Sequence, residues 1–151
     1  MKTTPRDPHR ILLVDDNRDG LLVRRALLEE LGHSVDIAES GDRALSLLAA
    51  EAYDIVVTDH CMPGMNGTQL IQRIRAANPN AHIILLSGFV EGMGLSEANT
   101  GADIVLMKCA REGLHLARAV NRLMCVAPSR KPPAQQKLPP KFRRRGGGAL
   151  D

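Results

Sequence analysis

Five short apolar runs, at residues 11–15, 34–38, 54–58, 82–86 and 102–106, alternate with longer stretches of helical periodicity, and this alternation limits the fold more than any other feature of the chain. Runs this short cannot make core helices, and helices between successive strands favour parallel pairing with crossovers packed on the sheet. The expected architecture is therefore α/β, a doubly wound five-stranded parallel sheet with helices on both faces. After the first run, Leu21, Leu22, Ala26, Leu27, Leu28 and Leu31 recur at three- and four-residue intervals and stop at Gly32, as an amphipathic helix with a glycine C-cap does. Ser40 is placed to N-cap a second helix that buries Ala44, Leu45, Leu47 and Leu48. A third carries Leu70, Ile71 and Ile74 and closes at Asn78-Pro79. The last starts near Ala110, with Leu114, Leu116, Ala117, Val120, Leu123 and Met124 as its apolar positions. Between the fourth and fifth runs, the segment from Glu91 to Asn99 has two glycines and little apolar surface, which predicts a short or loose helix.

The periodicity ends at Val126, so the 151 residues divide into a flexible N-terminus (1–8), one folded domain (9–126) and a tail (127–151). The formal charge of +3 hides an asymmetry: the tail holds seven Lys/Arg against one Asp, leaving 13 basic and 16 acidic residues in the body. Rich in Pro, Gly and Arg, the tail cannot bury enough apolar area to offset its ordering entropy and is expected to be disordered. Arg143-Arg144-Arg145 could touch nucleic-acid phosphates, but without an aromatic platform a solubilising or tethering role is favoured. No apolar run approaches the roughly 20 residues that cross a bilayer, and Met1 to Pro8 lacks the apolar core of a signal peptide, so a cytoplasmic protein with no membrane partner is expected. Cys61, Cys109 and Cys125 are odd in number and lack paired short spacing, which argues against a disulfide framework or zinc knuckle; Cys109 and Cys125 read as small packing residues.

Two of the apolar runs end in carboxylates. Asp15 and Asp16 follow Ile11-Leu12-Leu13-Val14, and Asp59 follows Ile55-Val56-Val57-Thr58. In a parallel sheet, strand carboxyl ends share one edge, so the three acids converge on a small volume. Their mutual repulsion calls for a hard divalent cation, with a reactive aspartate beside it.

Four segments in order, Val14-Asp15-Asp16-Asn17, Thr58-Asp59-His60-Cys61-Met62-Pro63-Gly64-Met65-Asn66-Gly67, Leu86-Ser87-Gly88, and Gly101-Ala102-Asp103 leading to Met107-Lys108, resemble the receiver domain of two-component response regulators over about residues 9–126. The resemblance implies a flavodoxin-like strand order of 2-1-3-4-5 and makes Asp59 a phosphoacceptor. It implies that Asp15, Asp16, Asp59 and the backbone carbonyl of Cys61 hold Mg²⁺, that Ser87 hydrogen-bonds a phosphoryl oxygen and that Lys108 pairs with another. Such a site takes its phosphoryl group from a histidine kinase or histidine phosphotransfer protein and catalyses only its own phosphorylation and dephosphorylation. Pro63, Gly64 and Gly67 would let the loop turn tightly beside Asp59.

Three positions depart from the family pattern or modify it. Cys109 replaces the proline after the strand-five lysine, whose peptide bond is cis in the family; a non-proline cis bond costs about 2.5–4 kcal/mol, so the placement of Lys108 is open. Val105 replaces the aromatic residue that reports phosphorylation. Phe89, two residues past Ser87, is placed to cover the site and slow loss of the phosphoryl group. His60 reads as a surface histidine, since an ionised aspartate needs no general base. No output domain is expected after residue 126, so a stand-alone regulator acting on a downstream target by protein contact is favoured. The alternatives are a degenerate receiver that only binds, a metal-dependent hydrolase, and a nucleic-acid-binding adaptor acting through the tail.

Overall fold

A computed structural model describes residues 9–88 and 94–125. The elements are β1 (Arg10–Val14), α1 (Arg18–Glu30), β2 (Ser34–Ala38), α2 (Gly41–Ala50), β3 (Ile55–Asp59), α3 (Gly67–Ala77), β4 (His82–Ser87), α4 (Glu97–Thr100), β5 (Ile104–Met107) and α5 (Glu112–Cys125). Phe89, the first three residues of the weak segment (91–93), the first eight residues and the basic tail lie outside the described residues. The compact unit that carries the sheet ends at Val120.

All five strands pair in parallel in the order β2-β1-β3-β4-β5. The central three are buried almost throughout, which is why their sequences are continuous apolar runs rather than alternating ones. On one face Leu12, Val14, Val56, Ile83 and Leu85 form a core with Ala44 of α2 and Leu70, Ile71 and Ile74 of α3. The alternate residues Ile11, Leu13, Ile55, Val57, Ile84 and Leu86 point the other way and are equally buried. On that side α1 contributes Leu21 and Leu28, and α5 contributes Leu116 and Val120. Burying an aliphatic side chain of this size contributes about 1.5–3 kcal/mol, so these two layers supply the main stabilisation.

Local signals fix where the helices begin and end. Asn17 caps α1 by accepting from the Gly20 N–H (3.2 Å). At the other end the His33 N–H reaches the Leu28 carbonyl (3.1 Å) and the Gly32 N–H reaches Glu29 (3.0 Å), a Schellman closure centred on Gly32. Ser40 caps α2 as expected, and Asn66 and Gln69 form a reciprocal capping box at the start of α3. The helix before β5 is short: α4 has four residues, closed by Gly101. Its Glu97 carboxylate accepts the Val105 N–H (3.0 Å), which satisfies a donor on the sheet's edge strand.

Some sequence expectations shift. Strand five begins at Ile104 rather than residue 102: the Asp103 N–H still donates to the Ile83 carbonyl (2.8 Å), but the Ile83 N–H is taken by the Asp103 carboxylate (2.7 Å), which also accepts an N–H of Arg75 (3.0 Å). Leu22, Leu31 and Leu114 are exposed although they fit the helical period, since they flank the buried stripes instead of lying in them. No helix among the described residues is long and apolar enough to cross a membrane.

His33 stacks on His9 (ring centroids 5.7 Å apart), and its buried Nδ1 has no hydrogen-bond partner among the described residues. Burial and the neighbouring imidazole both push its pKa down. A histidine depressed in the folded state binds fewer protons there than when unfolded, so its contribution is intact above about pH 6.5 and is lost as the pH falls below that value. The urea midpoint should therefore drop between pH 7.5 and 5.5, and the drop should be smaller in His33→Phe; an equal drop in both would contradict this assignment.

Candidate functional site

The carboxyl ends of β1, β3, β4 and β5 form the edge on which the site is built. Asp15 follows the last residue of β1 and still donates its N–H to the Ala38 carbonyl of β2 (3.1 Å). Asp59 is the last residue of β3, paired in register with Leu86 of β4, so Ser87 lies one step beyond it. The Lys108 N–H donates to the Ser87 carbonyl (2.8 Å), which ties the start of the β5–α5 loop to the end of β4. Parallel register alone thus collects Asp15, Asp59, Ser87 and Lys108 at one edge.

One oxygen from each of Asp15, Asp16 and Asp59 lies within 4.8 Å of the other two. Two oxygens on opposite sides of an octahedral Mg²⁺ are about 4.2 Å apart, so these carboxylates fit the ion after a small adjustment. Asp15 and Asp59 are buried and Asp16 is exposed, an arrangement that leaves one side of the cluster open to an incoming group.

Lys108 reaches into this cluster even with cysteine at 109. Its Nζ lies 2.6 Å from Asp59 Oδ1 and 3.4 Å from Asp15 Oδ2. Burial acts to lower the Lys108 pKa, but the hydrogen bond and charge of Asp59 outweigh it and hold the ammonium above its usual range. Asp59 is also pushed up, first by burial and then by Asp15 and Asp16, against the opposing pull of Lys108. Both partners rise because, at Asp59, burial reinforced by two other acids outweighs the pull of one lysine. For Asp15, burial pushes upward, yet the Asn17 N–H, the Arg24 guanidinium and Lys108 together bring the carboxyl below its ordinary range.

Sequence reasoning missed Arg24. Its Nη1 donates to Asp15 Oδ2 (2.8 Å) and its Nε donates to Glu112 at the start of α5. Arg24 lies between Leu21 and Leu28 on the stripe that α1 buries, so a charged residue in an apolar helical slot was the signal that could have revealed it.

Three other expectations are corrected. His60 is buried, not on the surface, because the first turn of α3 packs over it and its Nδ1 lies 3.3 Å from Thr68 Oγ1. Cys109 and Cys125 are exposed rather than packed, one in the loop after β5 and the other ending α5. Cys61 is exposed, two residues past Asp59. Val105 is half-buried against the core on the α2/α3 side.

The loop after Asp59 depends on two glycines. Gly64 has a positive φ of 79°. At Gly67 a Cβ would stand 2.6 Å from the Asp59 carbonyl oxygen and 2.8 Å from His60 Cα, so the α3 backbone can approach β3 only with glycine there. Gly67→Ala should destabilise the fold by about 1–3 kcal/mol. The urea midpoint measures this, and an unchanged midpoint would show that the close approach carries no cost.

A model of the response regulator receiver domain matches residues 11–120. The virulence sensor protein BvgS of Bordetella bronchiseptica is 38% identical over 118 residues, covering 71% of this chain and 10% of that protein. The chain thus spans about a tenth of the length of the first curated relatives it matches. Among solved structures, the response regulator TrrA of Thermotoga maritima, in complex with Mg²⁺-BeF, is 31% identical with a TM-score of 0.70 over 76% of this chain and 98% of its own. A complex of histidine kinase ThkA with TrrA matches at 31% identity and a TM-score of 0.69, over 77% of this chain and 98% of the matched one.

Proposed function

The chain belongs to the response regulator receiver domain family, and from that premise we propose that it is a phosphoryl-accepting switch, with Asp59 as the acceptor and a phosphohistidine protein as the donor. The observation that carries this reading is the convergence of Asp15, Asp16 and Asp59 with the Lys108 ammonium 2.6 Å from Asp59. Asp15, Asp16 and Asp59, with the Cys61 carbonyl, are the groups that would hold Mg²⁺. When bound, the ion neutralises charge as one anion approaches another.

The remaining work falls to this chain's own side chains. An Asp59 carboxylate oxygen attacks phosphorus, forming an O–P bond as the P–N bond to the donor imidazole breaks, and the imidazole leaves with the bonding electrons and takes up a proton. Asp59 needs no base as long as it is ionised. Lys108, already directed at Asp59, follows the transferred group as a mobile point charge, and Ser87 at the end of β4 supplies a hydroxyl to another phosphoryl oxygen. With Val105 in place of an aromatic ring, the response would leave the site through the backbone after Ser87 and the short α4. Downstream contact through α4, β5 and the start of α5 fits that route. The kinase complex of the related TrrA supports a histidine kinase as partner.

Incubation with Mg²⁺ and acetyl phosphate should add the mass of one phosphoryl group to the native chain and none to Asp59→Asn. Lys108→Ala should slow the addition by about 10²-fold. No mass gain in the native chain, or its retention in Asp59→Asn, would overturn the proposal.

A further inference from the structure

Arg24 is a buried charged group that the proposed chemistry does not use. Asp15 is 1% exposed and Arg24 8%. Asp15 Oδ2 accepts from Arg24 Nη1 at 2.8 Å and lies 3.4 Å from Lys108 Nζ, while Oδ1 accepts the Asn17 N–H at 3.0 Å. The other edge of the guanidinium is held by Glu112, so Arg24 joins the metal-site acid to the first turn of α5. Space for it comes from Gly20, where a Cβ would lie 3.2 Å from Nη1.

Stability alone does not account for this arrangement. Taking a guanidinium and two carboxylates out of water costs several kcal/mol per ion, and well-packed apolar residues often serve a fold as well or better. What an apolar residue at 24 could not do is place a fixed positive charge against a carboxylate that a cation must share. A charge in this position acts in two opposed ways. It fixes the orientation of the Asp15 carboxylate, which favours binding, and it weakens the local negative potential, which opposes binding. Asn17 and Lys108 also hold the carboxylate, so its orientation survives without Arg24. The charge does not, and the electrostatic effect is therefore the one that decides. Glu112 acts in the reverse sense, offsetting part of the guanidinium's charge.

We propose that Arg24, a positioning residue clamped between Asp15 and Glu112, is a built-in counter-cation that sets the Mg²⁺ requirement of the phosphoryl-accepting site. The inference rests on Asp15, Asp16 and Asp59 holding Mg²⁺. It predicts that the two ends of the clamp have opposite effects. Arg24→Met should tighten Mg²⁺ binding by roughly three- to tenfold, because the ion then supplies the charge that Arg24 supplied. Glu112→Gln keeps a hydrogen-bond acceptor but frees the guanidinium charge, and should weaken binding by a similar factor. Arg24→Lys retains the charge and should stay close to the native chain.

The test is calorimetric titration of each 151-residue chain with MgCl₂ at fixed ionic strength, with melting temperatures recorded in EDTA and in excess Mg²⁺. A merely structural Arg24 would lower the melting temperature of Arg24→Met equally in both conditions and leave the dissociation constant unmoved. The proposal predicts a larger Mg²⁺-induced rise for Arg24→Met and a smaller one for Glu112→Gln. If Arg24→Met does not fold, Glu112→Gln and Arg24→Lys still decide the matter. Native binding with unchanged constants in the variants, or a shift of both in the same direction, overturns the inference and leaves the site assignment standing. Absence of Mg²⁺ binding by the native chain overturns both.

Discussion

Repulsion between carboxylates at the carboxyl edge of the sheet is the constraint on which the rest of this site depends. Asp15 and Asp59 are both buried and their oxygens lie within 4.8 Å of each other. At an effective dielectric constant of about 20, two unit charges at that distance repel by roughly 3 kcal/mol. Nothing in the sheet itself relieves this, because parallel register forces neighbouring strand ends together. Relief comes from cations brought in by other elements, Lys108 from the end of β5 and Arg24 from α1. The opposite pKa directions of Asp15 and Asp59 follow from how these are shared: Asp15 faces Arg24, Lys108 and a backbone N–H, whereas Asp59 faces Lys108 and two other acids.

The fold serves this edge by keeping everything beneath it apolar and rigid. β1, β3 and β4 are packed on both faces, so their ends cannot drift, and the close approach at Gly67 presses α3 against the end of β3. The polar groups needed for chemistry then sit on a fixed frame, beside an α4 of only four residues. A frame of this kind holds the acids of the site still.

Much of this was legible in the sequence because it rests on local rules. Continuous apolar runs marked the central strands, Ser40 and Gly32 marked helix ends, and Asp15, Asp16, Asp59, Ser87 and Lys108 each followed or ended a strand. What escaped depends on which side chains meet across elements. His60 reads as a surface residue when judged only by the lack of need for a base, whereas its burial under α3 follows from the close approach at a glycine seven positions later. Cys109 and Cys125 resembled packing residues by type, yet the loop after β5 and the last turn of α5 leave them exposed. Arg24 lay within an ordinary run of helix-forming residues. Only its position between Leu21 and Leu28 pointed inward, and its partners, Asp15 and Glu112, are 9 and 88 residues away.

The central claim is that the ionised acids of this edge oppose folding unless cations offset them. Asp59, whose pKa is raised in the folded protein, costs stability in its charged form at neutral pH, so removing its charge should stabilise the fold. The most direct measurement is the melting temperature of the native chain and of Asp59→Asn at pH 7.5, in EDTA and in excess MgCl₂. The account predicts that Asp59→Asn melts higher than the native chain in EDTA and that most of the Mg²⁺-induced rise is lost. A lower melting temperature in EDTA together with an undiminished response to Mg²⁺ would contradict it.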